Sequence, residues 1–160
     1  MTANNGKRRR LAMVASKGSL DNAYPPLILA ATAASLGWEV GIFFTFYGLD
    51  ILHKRKHQKL KVAPLGNPAM PVAIPNLIGA LPGMTAAATT MMKGWMKRSN
   101  LPTVPQFLDM ARESGVKLFA CSTTMGVMGV KEADLIAGTD IAGAAAFLDY
   151  AAEANVSLFI

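Results

Sequence analysis

Short apolar runs of strand length alternate along this chain with longer segments of helical periodicity, and that alternation leaves few folds open. RLAMVAS, from Arg10 to Ser16, ends at the turn KGS and reads as a buried first strand. The next segment puts Leu20, Tyr24, Leu27, Ala31 and Ser35 on one helical stripe, with Ser19 or Asp21 available as a cap and Gly37 just past the end. Pro25 and Pro26 lack the N–H donors that a helix interior needs, so the regular helix is expected to start near them. WEVGIFFTF, from Trp38 to Phe46, is rich in β-branched and aromatic residues and predicts a second strand.

A short helix is expected from Gly48 to about His57, and Thr85 to Lys97, loaded with Ala and Met, reads as another. Thr103 with Gln106 three residues on is a capping box for a helix whose apolar face is Val104, Phe107, Leu108 and Ala111, ended by Gly115. Val116 to Cys121 predicts a third strand, and Leu135–Ala137 a brief fourth. Thr139 or Asp140 would cap a last helix with Ile141, Ala145, Leu148 and Ala152 inward, stopped at Asn155, and VSLFI closes as a strand. Strands and helices in this order predict an α/β fold: a three-layer α/β/α sandwich around a mainly parallel sheet of about five strands. The 160 residues suffice for one core, so a single domain over 1–160 is expected.

The span from Val62 to Met92 carries no charge and is long enough to cross a bilayer, which takes about 20 residues as a helix. It also carries Pro64, Pro68, Pro71, Pro75 and Pro82 with Gly66, Gly79 and Gly83, and a backbone broken so often cannot satisfy itself in lipid. An irregular apolar insertion at about 62–100 is therefore expected to pack against protein, between subunits of a homo-oligomer, with membrane association as the lesser reading. Hydrophobic residues make up 52% of the chain and charged ones 16%, which leaves apolar surface that association would hide.

The net charge of +6 gathers in Lys7–Arg10, His53–Lys61 and Lys93–Arg98. Such patches steer partners, but no nucleic-acid reader motif or stacking pattern accompanies them, so no nucleic acid is expected. His53 and His57 lie four apart among Lys54, Arg55 and Lys56, which reads as a solvated basic face rather than a metal site.

Cys121 is the single cysteine, so an internal disulfide, a CxxC pair and a cysteine zinc cluster are excluded. The first ten residues are polar and basic with no signal-type apolar core behind them, so a reducing cytoplasm is the expected compartment. In a parallel sheet, chemistry gathers beyond the carboxyl ends of the strands, where Cys121 is expected to lie. If Ser122, Thr123 and Thr124 turn into a helix, their N–H groups favour the thiolate, the reactive form. Lys17 would add charge from the first strand's end, and Tyr47 would wall the pocket. Each has a plain alternative: Cys121 as a space filler, Lys17 as a solvated turn residue, Tyr47 as packing, Thr123 and Thr124 as simple caps.

Three stretches carry a resemblance: NPAMPVAIPNLIGALPGMTAAATTMMK, ACSTTMGVMGV and AAEANVSLFI. In them, and over nearly the whole length, the chain resembles the DsrE/DsrF/DsrH-like family of sulfur-relay proteins, in its longer subgroup with an insertion. It departs from the family pattern at Ser122–Thr123 and at Pro25–Pro26. The resemblance implies an α/β/α sandwich and a homo- or hetero-oligomer. It also implies a sulfur carrier or sulfurtransferase in which Cys121 holds persulfide sulfur between donor and acceptor proteins, with no metal or organic cofactor. That role needs the sulfur to open into a solvent-reachable, anion-friendly niche.

Other classes compete. A one-cysteine thiol peroxidase would need a peroxide pocket, but Phe119 and Ala120 precede Cys121 where peroxiredoxins place Pro and Thr, and no Arg is near. A flavin or nucleotide domain is weakly supported, because SKGS matches neither GxGxxG nor the P-loop. A non-catalytic oligomeric binding module also remains open.

Overall fold

The computed structural model describes residues 8–63 and 83–160; the proline-rich part of the insertion and its expected packing lie outside the described residues. Five strands form one sheet: β1 (Arg10–Ala15), β2 (Glu39–Phe44), β3 (Lys117–Cys121), β4 (Thr139–Ala142) and β5 (Val156–Phe159). Their order is β4-β3-β2-β1-β5, and every neighbouring pair is parallel. Among the described residues six α-helices accompany them: α1 (Leu20–Ser35), α2 (Leu49–Leu52), α3 (Met84–Arg98), α4 (Val104–Glu113), α5 (Ser122–Met128) and α6 (Ala144–Ala152). The architecture is the expected α/β/α sandwich.

Strand side chains alternate between the two faces. Leu11, Met13 and Ala15 of β1, Val40, Ile42 and Phe44 of β2, and Leu118 and Ala120 of β3 enter the larger core, with buried residues of α1, α2 and α4. Tyr24 of α1 and Phe107 of α4 meet edge to face there, 5.9 Å between centroids. The opposite set, Ala12, Phe43, Cys121 and Ala142, forms a thinner core under α6 with Phe147. Phe43 and Phe147 stack at 4.7 Å, and Phe119 and Tyr150 complete the aromatic layer. Gly41 makes room for it: a Cβ there would lie 2.5 Å from Tyr150 Cε1.

At the amino end of the sheet Glu39 pairs with Arg10 at 2.9 Å and with Lys117 at 3.0 Å. Partial burial pushes the Glu39 carboxyl up, but these two cations outweigh it and hold it below the usual carboxylate range. The same cations lie over the Tyr150 ring, at 4.6 Å for the Arg10 guanidinium and 5.1 Å for Lys117 Nζ. This knot pins α6 at the end of the sheet opposite to Cys121.

Four expectations are corrected. Pro25 and Pro26 do not start α1; they lie inside it, after a first turn anchored by Leu20 N–H donating to the Lys61 carbonyl at 2.7 Å and Ala23 N–H to Ser19 at 3.0 Å. An interior proline costs about 3 kcal/mol, and burial of Pro26 with Ala23, Tyr24 and Leu27 along the core face offsets it. The fourth strand is Thr139–Ala142 rather than Leu135–Ala137; Leu135 instead turns inward and makes a single antiparallel bridge to His53. The last helix starts after Gly143, not at Thr139 or Asp140, and its inner face is Phe147, Tyr150 and Ala151, with Leu148 and Ile141 exposed. His53 and His57 are buried, not solvated: the chain turns at Lys54–Lys56, leaving those cations outside while the two imidazoles turn inward. The His57 ring Nδ1 sits 2.8 Å from the His53 carbonyl.

Candidate functional site

Cys121 is the last residue of β3 and the residue from which α5 departs, so strand becomes helix at the sulfur. Its place in the alternation turns the side chain toward the α6 face, and only 6% of the residue is exposed. The niche is therefore tighter than the open one expected, yet it is not purely aliphatic.

Donors surround it. Thr124, one turn into α5, is buried, and its hydroxyl lies 2.9 Å from that of Thr45, the residue after β2. Phe46 N–H donates to Thr124 Oγ1 at 3.3 Å, which leaves the Thr124 hydroxyl proton free to turn elsewhere. Burial pushes the Cys121 thiol up, but the hydroxyl and N–H of Thr124, the hydroxyl of Thr45 and the N–H of Thr123 outweigh it and hold the thiol below the usual cysteine range. The sulfur caps no backbone N–H with full hydrogen-bond geometry. These donors are thus nearby groups whose pull grows as negative charge forms, rather than bonds already made to a thiol.

Ser122 and Thr123 are exposed at the rim. Ser122 Oγ faces Gly143, where a Cβ would stand 3.7 Å away. Lys17 and Tyr47 come together, but around a separate hollow of about 540 Å³ that Cys121 does not line. The groups that lower the thiol are threonine hydroxyls and amides. Thr45 is a neighbour of the thiol whose role the sequence leaves unassigned. Its only sequence signal was a polar residue just beyond an apolar strand, and its pairing with Thr124 spans 79 positions.

Phe46 follows Thr45 at φ 47, in the left-handed region, where a bulky side chain is uncommon. A larger cleft of about 950 Å³ lies between α3 and α4, lined in part by Lys93, Asn100, Asp109 and Glu113, and shares no residue with the thiol site. Among the described residues no group of three His, Cys, Asp or Glu side chains could hold a metal ion, and no helix is long and apolar enough to cross a membrane.

Replacing Thr124 with valine keeps shape and removes the hydroxyl. The pH midpoint for alkylation of Cys121 by iodoacetamide is expected to rise, and the rate near neutrality to fall several-fold. An unchanged midpoint would show that the hydroxyl does not hold the thiolate.

The chain is 45% identical over 160 residues to the sulfur carrier protein DsrE2 of Allochromatium vinosum, covering 96% of this chain and 99% of that protein. It is 37% identical over 162 residues to the uncharacterized protein YrkE of Bacillus subtilis, covering 95% and 97% of the two. Among solved structures, the ychN protein from E. coli shares the fold at a TM-score of 0.59 and 12% identity, over 95% of this chain and 99% of that one. The sequence profile of the DsrE/DsrF/DrsH-like family matches residues 7–159. With matches of this length and depth, the chain belongs to the DsrE/DsrF/DsrH-like family.

Proposed function

We propose that this protein carries sulfur as a persulfide on Cys121, passing it from a donor to an acceptor protein. The observation that carries the reading is the single cysteine at a strand-to-helix junction, held below the usual thiol range by Thr124, Thr45 and Thr123. Its kinship with a protein named as a sulfur carrier supports the same conclusion.

The chemistry balances without a redox partner. Cys121 thiolate attacks the outer sulfur of a donor persulfide, R–S–SH; the donor's S–S bond breaks, and R–S⁻ leaves while Cys121 becomes Cys–S–SH. An acceptor thiolate then attacks that terminal sulfur, forming its own persulfide and returning Cys121 to thiolate. At both ends of the cycle the sulfur next to the Cys121 Cβ bears or sheds negative charge, and the threonine donors stabilise it there. The protein thus acts as a sulfurtransferase between thiols, a role that a reducing cytoplasm suits.

The test is intact mass after incubation with polysulfide, followed by addition of a protein thiol. One sulfur atom gained per chain and then released is the expected result; no gain overturns the proposal.

Association of copies belongs to the same reading. The edge strand β5 leaves Val156, Leu158 and Phe159 exposed, Phe159 at 76%, and unpaired apolar edges favour pairing with another chain. Sedimentation velocity is expected to give a mass above that of a monomer, and a clean monomer at micromolar concentration would remove this part.

A further inference from the structure

We infer that the lysine-lined hollow beside Cys121 is a docking surface for an acidic segment of the protein that exchanges sulfur with it; this rests on the sulfur-carrier reading. The hollow opens where β1 ends and α1 begins, and Lys17, Lys56, Lys59 and Lys61 line it against one carboxylate, Asp50. Asp50 is already occupied, 2.7 Å from Lys56 Nζ. The described residues include every Asp and Glu of the chain, and among the described residues no ion pair involves Lys17, Lys59 or Lys61. All three lysines are exposed. The chain that follows them, Val62 to Met92, has no charged residue and so brings no counter-charge. The first turn of α1 brings Asp21 close by, but its carboxylate accepts from the Ala63 N–H at 3.1 Å and from Asn22 Nδ2 at 3.1 Å and pairs with none of these lysines. A concave surface with this many uncompensated cations draws an anionic partner.

Its position says which partner. The hollow and the thiol share one wall, the turn from Thr45 to Gly48. Thr45 serves the thiolate on one side of that wall, and Tyr47 lines the hollow on the other. Between them Phe46 stands 60% exposed in the left-handed region and Tyr47 68% exposed. Two aromatic rings in solvent with cations at their border match the anatomy of a protein interface, an aromatic centre with a charged rim. A nucleic acid would satisfy the lysines but would bring no thiol to Cys121, and two adjacent rings are not the repeated stacking platform a single strand uses.

The experiment uses two labelled peptides of equal length, free of cysteine, one rich in Asp and Glu and the other with Asn and Gln in their place. Binding to the full chain is read by fluorescence anisotropy. The acidic peptide is expected to bind about tenfold tighter at low salt, and the difference should vanish near 1 M salt, where the screening length falls to about 3 Å. Lys59→Glu with Lys61→Glu should remove that preference, whereas Lys93→Glu with Lys97→Glu, on α3, should leave it. Equal binding of the two peptides, or equal loss in both double variants, overturns the proposal. A single-stranded oligonucleotide of matched charge binding more tightly than the acidic peptide overturns the choice of partner. Because the peptides carry no sulfur, their binding stands or falls independently of whether polysulfide loads Cys121.

Discussion

Cys121→Ser is expected to yield a folded protein that gains no sulfur from polysulfide or from a persulfide donor. The loss should be complete rather than graded, because this is the only thiol in the chain and no second cysteine can substitute. A serine hydroxyl is not ionised at neutral pH and forms no stable bond to sulfane sulfur, so the donors around it have no anion to hold. The fold should survive. Serine is slightly smaller than cysteine, and its hydroxyl can bond Thr124 or Thr45, so the thin core of Ala12, Phe43, Ala142 and Phe147 meets neither a bulky group nor an unpaired polar one. A stability change of about 1 kcal/mol is the scale to expect. Intact mass reads the loading and thermal unfolding reads the fold. Cys121→Ala, which removes the polar atom altogether, separates lost chemistry from a misplaced hydroxyl. Equal sulfur gain on wild type and Cys121→Ser would place the chemistry elsewhere and sink the carrier reading.

What was legible in the sequence was what depends on neighbours in the chain. The capping box of Thr103 and Gln106 is local, and it forms as spelled, with Thr103 N–H donating to Gln106 Oε1 at 2.8 Å. The inner strands β1, β2 and β3 are buried on both faces and read as continuous apolar runs. The edge strand β4 gives no such signal: the two central residues of TDIA are exposed, and the apolar Leu135–Ala137 reads as the strand instead, whereas VSLFI of the other edge strand, β5, is legible. The inner face of α6 is not legible because it packs through rings rather than through its aliphatic stripe, and the room for those rings comes from Gly41, over a hundred positions away. The candidate site divides in the same way. Cys121 at a strand end followed by helix was visible, while Thr45 beside Thr124 is a consequence of β2 and β3 lying in parallel register, Phe44 opposite Ala120.

That dependence on register makes Gly48 the most sensitive backbone position near the thiol. Its φ of −57 suits any residue, so the constraint is space rather than conformation. A Cβ at Gly48 would lie 2.1 Å from the Ala15 carbonyl oxygen, and one at Gly18 would lie 2.1 Å from that of Tyr47. The loops leaving β1 and β2 thus interlock through two glycines, backbone against backbone, where no side chain can swing away. Gly48→Ala must push the turn outward, straining Gly48 N–H donating to Ser16 at 3.2 Å and Thr45 N–H donating to Ala15 at 3.0 Å. Overpacking of this kind costs about 2–3 kcal/mol, which for a domain of this size lowers Tm by roughly 5–10 °C. Thr45 moves with the turn, so the pH midpoint of Cys121 alkylation should rise in the same variant. Gly94→Ala supplies the opposite sign: Gly94 lies inside α3 with nothing within 4 Å of a new Cβ, and alanine there should stabilise by about 0.5–1 kcal/mol. If Gly48→Ala and Gly94→Ala shift Tm alike, the two loops do not interlock, and the thiolate's donors owe their placement to something other than this contact.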